Sequence, residues 1–218
     1  MKILRLTCSP RRELSESFRL SEAIVRRLLE RHPHAELMER ALADGTISHV
    51  DGHYARVLGT GGTTATDTGP AFDVDSPRNS LAESETLIRE LEAADILVIG
   101  TPMHNYTVPS ALKAWIDHVV RVHRTFRPSP HGKEGMLADR PTFIAVSAGG
   151  SYAREPGQSR QPDFLTPYLT AVLNTIGIRD ITFFSVQRSA RGPEALHDSR
   201  HAAAAHLDRH FSASAARP

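Results

Sequence analysis

Three short segments of the 218-residue chain carry residues whose types and order suit the binding of a flat, phosphorylated molecule. The first is Pro102-Met103-His104-Asn105-Tyr106, which follows the apolar run Ile96 to Ile99 and Gly100. Pro102 stiffens the turn, Asn105 offers an amide, and Met103 and Tyr106 offer soft apolar surface, so this loop suits a polar heterocycle. His104 could give a proton to a substrate, because imidazole titrates near neutral pH; it reads also as an exposed loop histidine. In the second segment Cys8-Ser9-Pro10 closes an apolar run, and Leu14-Ser15-Glu16-Ser17 leads into a helical pattern. Free N–H groups and the helix dipole favour a phosphate at such a place. The hydroxyls of Ser9, Ser15 and Ser17 add donors, although Ser15 or Ser17 reads also as a simple helix cap. A carboxylate beside a phosphate would repel it, so the Glu16 side chain is expected to point away. The third segment, Ser147-Ala148-Gly149-Gly150, ends another apolar run. Its glycines let the backbone approach a ring edge, and successive N–H groups can bond an electron-rich one.

The elements that must position these loops alternate strand and helix, which predicts a parallel sheet covered on both faces. Strands are expected at Ile3 to Thr7, Glu36 to Arg40, Ile96 to Ile99, Thr142 to Ser147 and Ile181 to Val186. Helices are expected at Phe18 to Arg31, from Ser80, from Pro109 or Ser110, at Leu165 to Ile176 and at Pro193 to His210. Ser80 and Glu83 read as a capping box, and Gly177 is placed to end the fourth helix. The fold class is therefore α/β, a flavodoxin-like, five-stranded, doubly wound parallel sheet in the order 2-1-3-4-5. The three loops then leave the carboxyl ends of neighbouring strands, where open sheets of this kind bind ligands. One domain is expected over residues 1–218. Its Gly- and Thr-rich connection, Ala43 to Asn79, reads as a lid or a partly disordered segment. Arg124 to Arg140 reads as a surface excursion, and the tail from Ser212 to Pro218 as frayed.

Composition narrows the function. With 26 basic and 25 acidic residues, nothing favours nucleic acid or a membrane surface. Arg5 interrupts the N-terminal apolar run, so no signal peptide is expected, and no run reaches membrane length. A cytoplasmic protein is expected. Cys8 is the only cysteine, and its apolar neighbours suit a small buried residue better than a reactive thiol. Among 12 histidines, His197 and His201, and His206 and His210, share helical spacing, but without a carboxylate-rich motif they read as a solvated face rather than a metal site. No metal is expected. The run GTGGTT from Gly59 lacks the strand and helix that a phosphate loop requires.

PMHNY resembles the isoalloxazine-binding loop of the FMN-dependent NADH azoreductases, a flavodoxin-like family in which the usual form is close to PMYNF. Ser9 followed by Ser15-Glu16-Ser17 is similar to that family's phosphate loop, with Glu16 where Gln is common. SAGG resembles the family's SRGG; Ala148 removes a charge but not the backbone donors. Thr125-Phe126-Arg127, Glu134 to Leu137 and Thr166 to Leu169 extend the resemblance over nearly the whole chain, and it breaks mainly between Ala43 and Asn79. The resemblance implies bound FMN, NADH or NADPH as electron donor, and azo compounds or quinones as acceptors in a two-step cycle. It implies that FMN is held by Ser9, Ser15, Glu16, Ser17, Pro102, Met103, His104, Asn105, Tyr106, Ser147, Ala148, Gly149 and Gly150. Asn105 would touch the ring near its reactive nitrogen. It also implies a homodimer, with an interface sought on the apolar face of the helix from Ser110. His104 in place of Tyr, Pro128 in place of an aromatic and Thr175 in place of Phe predict a shifted acceptor preference, toward quinones. Other readings are reduction of nitroaromatics or free flavin, phosphodiesterase activity, for which no GxSxG elbow or metal cluster is present, and a non-catalytic binding protein of this fold.

Overall fold

The computed structural model describes residues 1–59, 80–152 and 161–215. Five parallel strands form the sheet: β1 (Lys2–Thr7), β2 (Glu36–Ala41), β3 (Ile96–Pro102), β6 (Thr142–Ser147) and β7 (Ile181–Val186), in the order β2-β1-β3-β6-β7. Strands β3 and β6 are buried along their whole length, as near-continuous apolar runs in a parallel sheet must be. Helices α1 (Glu16–Arg31) and α6 (Pro193–Ala215) cover one face, where Ile24, Leu28 and Leu207 share a core with Phe184 of β7. Helices α3 (Ser80–Ala93), α4 (Ser110–Val119) and α5 (Leu165–Ile176) cover the other through Leu87, Leu91, Leu112, Trp115 and Leu169. This is the doubly wound α/β architecture read from the alternation of patterns. Gly177 ends α5 in the left-handed conformation at φ +108, as its position predicts.

Several expectations need correcting. The third strand does not stop at Gly100 but runs on to Pro102, because the missing Cβ lets α1 lie against the strand. A Cβ at Gly100 would come within 2.6 Å of Ser21 Oγ and 2.9 Å of the Ser17 carbonyl. The connection after β2 contains a helix, α2 (Gly52–Gly59), held by buried Tyr54, whose hydroxyl donates to the Asp117 carbonyl at 3.0 Å. Residues 60–79 of that connection, which include all of the GTGGTT run after Gly59, lie outside the described residues. The excursion after α4 is an antiparallel hairpin, β4 (Phe126–Ser129) and β5 (Gly132–Gly135), clasped by an Arg127–Glu134 ion pair. Helix α6 continues through Ala215, further than the expected end at His210.

The capping box at Ser80 does not form. Glu83 instead accepts from the backbone and hydroxyl of Ser48, and the Ser80 hydroxyl has no partner among the described residues. The apolar face of α4 is not free for a partner subunit either, since Leu112, Trp115, Ile116 and Val119 are all buried within the single chain. His197, His201 and His206 are exposed, while His210 is half-buried, and the rings of both His206 and His210 also pack against Phe184.

Candidate functional site

Each of the three loops takes its shape from local backbone geometry. After β1, the Ser9 carbonyl accepts from Arg12 N–H at 3.1 Å and its hydroxyl from Arg11 N–H at 3.3 Å, bending the chain into a short 3-10 turn, Arg12–Leu14. Ser15 then stands at the N-cap of α1 with extended backbone, but its hydroxyl does not cap the helix. It pairs with the Ser17 hydroxyl at 3.0 Å instead. The first N–H groups of α1 are left without a side-chain acceptor, which is the condition under which a helix start attracts an anion.

After β3, the Met103 N–H donates to the Ser147 carbonyl at 2.7 Å, stitching the second loop to the third. His104 and Thr107 exchange two backbone hydrogen bonds of 2.9 Å. Between them Asn105 at φ +48 and Tyr106 at φ +71 form a tight turn with both central residues left-handed, as in a type I′ turn. Asn tolerates that region and Tyr seldom does, so the turn stores strain of the kind that gathers at ligand clamps. The Tyr106 carbonyl accepts from Phe164 N–H at 3.0 Å, fixing the turn to the start of α5. After β6, the carbonyls of Ala148, Gly149 and Gly150 accept from Ser189, Ala190 and Arg188. The N–H groups of Gly149 and Gly150 have no acceptor among the described residues. Among the described residues, a Cβ at Gly149 would have only Ala190 Cβ within 4 Å, at 3.4 Å.

The loops meet at a cleft of about 320 Å³ over the carboxyl ends of β1, β3 and β6. Of the residues expected from sequence, Ser9, Ser15, Glu16, Pro102, Met103, His104, Ser147, Ala148 and Gly149 line it. Ser17 is fully buried behind Ser15, Asn105 and Tyr106 stand exposed at the tip of the adjoining turn, and Gly150 follows the lining residues without being one. The departures at Pro128 and Thr175 fall on β4 and α5, away from the cleft lining. Sequence reasoning did not assign Pro10, Arg11, Leu14, Ser189 and Leu196 to the site. Arg11 and Leu14 lie inside the recognised loop and could have been named; Ser189 and Leu196 come from beyond β7, which carried no such signal. His104 also borders a neighbouring cavity of about 290 Å³, lined by Leu42, Ile47, His49 and Ala111 among others.

Electrostatics at the cleft are governed by one acidic residue. Glu16 accepts from Arg200 at 2.6 and 2.8 Å and from Arg19 at 3.2 Å. The Arg200 hydrogen bonds hold its carboxyl below the usual carboxylate value. Cys8 is wholly buried, and burial pushes its thiol far up, so it is held protonated and unreactive beneath the site.

A parallel sheet whose order reverses beside β1, with loops gathered over that point, defines a flavodoxin-like protein. A family model described as flavodoxin-like fold matches residues 1–211. An FMN-dependent NADH:quinone oxidoreductase of Cupriavidus pinatubonensis is 47% identical over 193 residues, covering 88% of this chain and 89% of that protein. A second, from Pseudomonas fluorescens, is 45% identical over 194 residues, covering 89% and 87%. An FMN-dependent NADH-azoreductase of Bacillus anthracis, solved with FMN, superposes with a TM-score of 0.75 at 20% identity, covering 95% of this chain and 98% of its own. The chain therefore belongs to the flavodoxin-like family that includes the FMN-dependent NADH:quinone oxidoreductases.

The donors present fit FMN. Hydroxyls and unsatisfied N–H groups at the start of α1 suit a phosphate, and Met103, Pro102 and the open backbone at Gly149 suit a flat ring.

Proposed function

We propose that this chain is an FMN-dependent NAD(P)H oxidoreductase that reduces quinones and azo compounds. The observation that carries the reading is the convergence of the loops after β1, β3 and β6 on one cleft at the switch point of the sheet. Bound there, FMN would take hydride from NADH or NADPH and pass the electrons to the acceptor, in two strokes. The residues bind and orient. Ser9 and Ser15, with the first N–H groups of α1, hold the phosphate. Pro102 and Met103 flank the ring, the N–H groups of Gly149 and Gly150 bond its polar edge, and the Asn105 amide reaches the reacting edge from the strained turn. His104, exposed beside the same turn, is placed to give a proton to an acceptor.

His104, where the family commonly has Tyr, lines the cleft and supports a preference for quinones over bulky dyes. The protein is further proposed to be cytoplasmic; among the described residues no helix is long and apolar enough to cross a membrane. A homodimer also belongs to this reading. With the α4 face buried, its contact is better sought at exposed Tyr106 and Phe164, beside the cleft. Steady-state rates with a quinone and an azo dye in one preparation test the proposal. Parallel double-reciprocal lines and faster quinone turnover are expected; dye reduction with no quinone turnover would overturn the preference.

A further inference from the structure

We infer that Arg200 is a positioning residue for cofactor binding: it holds the Glu16 carboxylate away from the phosphate end of the cleft and cancels its charge. The inference rests on the reading that the start of α1 holds the FMN phosphate. A carboxylate at the second position of a Ser-x-Ser phosphate loop is a liability, since it stands in the first turn of the helix whose N–H groups must meet a dianion. In this chain the carboxylate does not face that end alone. Both of its oxygens are taken by the fork of the Arg200 guanidinium, at 2.6 and 2.8 Å, from a helix 184 positions further along the chain. Arg19, one turn on, adds a contact of 3.2 Å, and its Nε donates to the Glu13 carbonyl at 3.1 Å in the same loop. Only 12% of the Glu16 side chain is exposed, so the pair is shielded on that side, whereas Arg200 is 46% exposed and can be replaced without opening the core. A bidentate pair of this geometry directs the carboxylate as well as neutralising it.

The test compares FMN with riboflavin, which lacks the phosphate, by fluorescence titration of the apoprotein. Arg200→Ala should weaken FMN about tenfold, the scale of one uncompensated charge near a phosphate, and leave riboflavin within about twofold. Adding Glu16→Gln to Arg200→Ala should restore FMN affinity, because the released charge is then gone. Equal losses for FMN and riboflavin, unaltered FMN binding, or a double variant as weak as Arg200→Ala would each overturn the inference and leave Arg200 as a packing contact between α6 and α1. Wild-type protein that does not distinguish FMN from riboflavin would overturn the phosphate site itself. A wild type that does distinguish them, with an indifferent Arg200 variant, would remove only the role of Arg200.

Discussion

Asn105 occupies a left-handed turn position at φ +48, so its replacement tests two things at once unless the substitutes are chosen with care. Asn105→Gly keeps the turn and deletes the amide, whereas Asn105→Ala also removes the short polar side chain that eases asparagine into this conformation, which costs other L residues about 1–2 kcal/mol. Turnover with a quinone should fall about tenfold in Asn105→Gly, the value of one well-placed hydrogen bond, while FMN affinity changes by less than about threefold. If FMN binding fell as far as turnover, the amide would be a cofactor anchor with no separate part in the reaction. At Gly149 the open space makes the expectation sharper. Since among the described residues only Ala190 lies within 4 Å of an added Cβ, Gly149→Val should fold normally and lose FMN affinity by about tenfold or more. Normal FMN titration of that variant would show that the ring does not approach this backbone. The amide and the glycines were legible in the sequence because their chemistry is local. The role of Glu16 was only half legible: its repulsion could be foreseen, but Arg200, far along the chain, could not.

Among the elements, the contact of α1 on β3 matters most, because it sets where the phosphate loop sits. Gly100→Ala would drive a methyl into the Ser17 carbonyl and Ser21 hydroxyl. The expected cost is about 1–3 kcal/mol in urea unfolding, as for other overpacked sites, with weaker FMN binding because Ser15 and Ser17 move with the helix. Unaltered stability would mean that the helix can slide away freely. Sequence patterns located every strand and helix of the sheet layers, since burial on two faces imposes continuous apolar runs and helical stripes. They missed what tertiary contacts decide. Gly100 looked like a stop signal because glycine punctuates chains, yet here it is a packing residue inside a strand. Ser80 and Glu83 have the spacing of a capping box, yet Glu83 is drawn to Ser48 by a connection whose path the pattern could not trace. The β4–β5 hairpin was hidden because its Pro128 and glycines read as loop, while the Arg127–Glu134 pair that clasps it is visible only once the strands face each other.

At the scale of the whole molecule, charge ties the helical layer to the hairpin connection. Arg124 donates to both Glu85 and Glu92, with contacts of 3.1 and 2.5 Å to their carboxylates. These hydrogen bonds hold both carboxyls below their ordinary value. Such groups stabilise the fold where they are ionised, above the ordinary carboxylate range near about pH 4.3, and that support is lost as pH falls through their lowered folded values. The urea midpoint should therefore drop between pH 7 and pH 3, and by less in Arg124→Ala; equal drops in the two proteins would assign the acid sensitivity elsewhere. The whole account turns on whether the assembled cleft holds a working flavin. The measurement that tests it most directly is the visible spectrum of the protein after FMN addition and desalting, followed by anaerobic titration with NADH and then a quinone. Flavin bands that survive desalting, bleach with NADH and return with the quinone are predicted. A colourless protein, or bound flavin that NADH does not bleach, would contradict the proposed function.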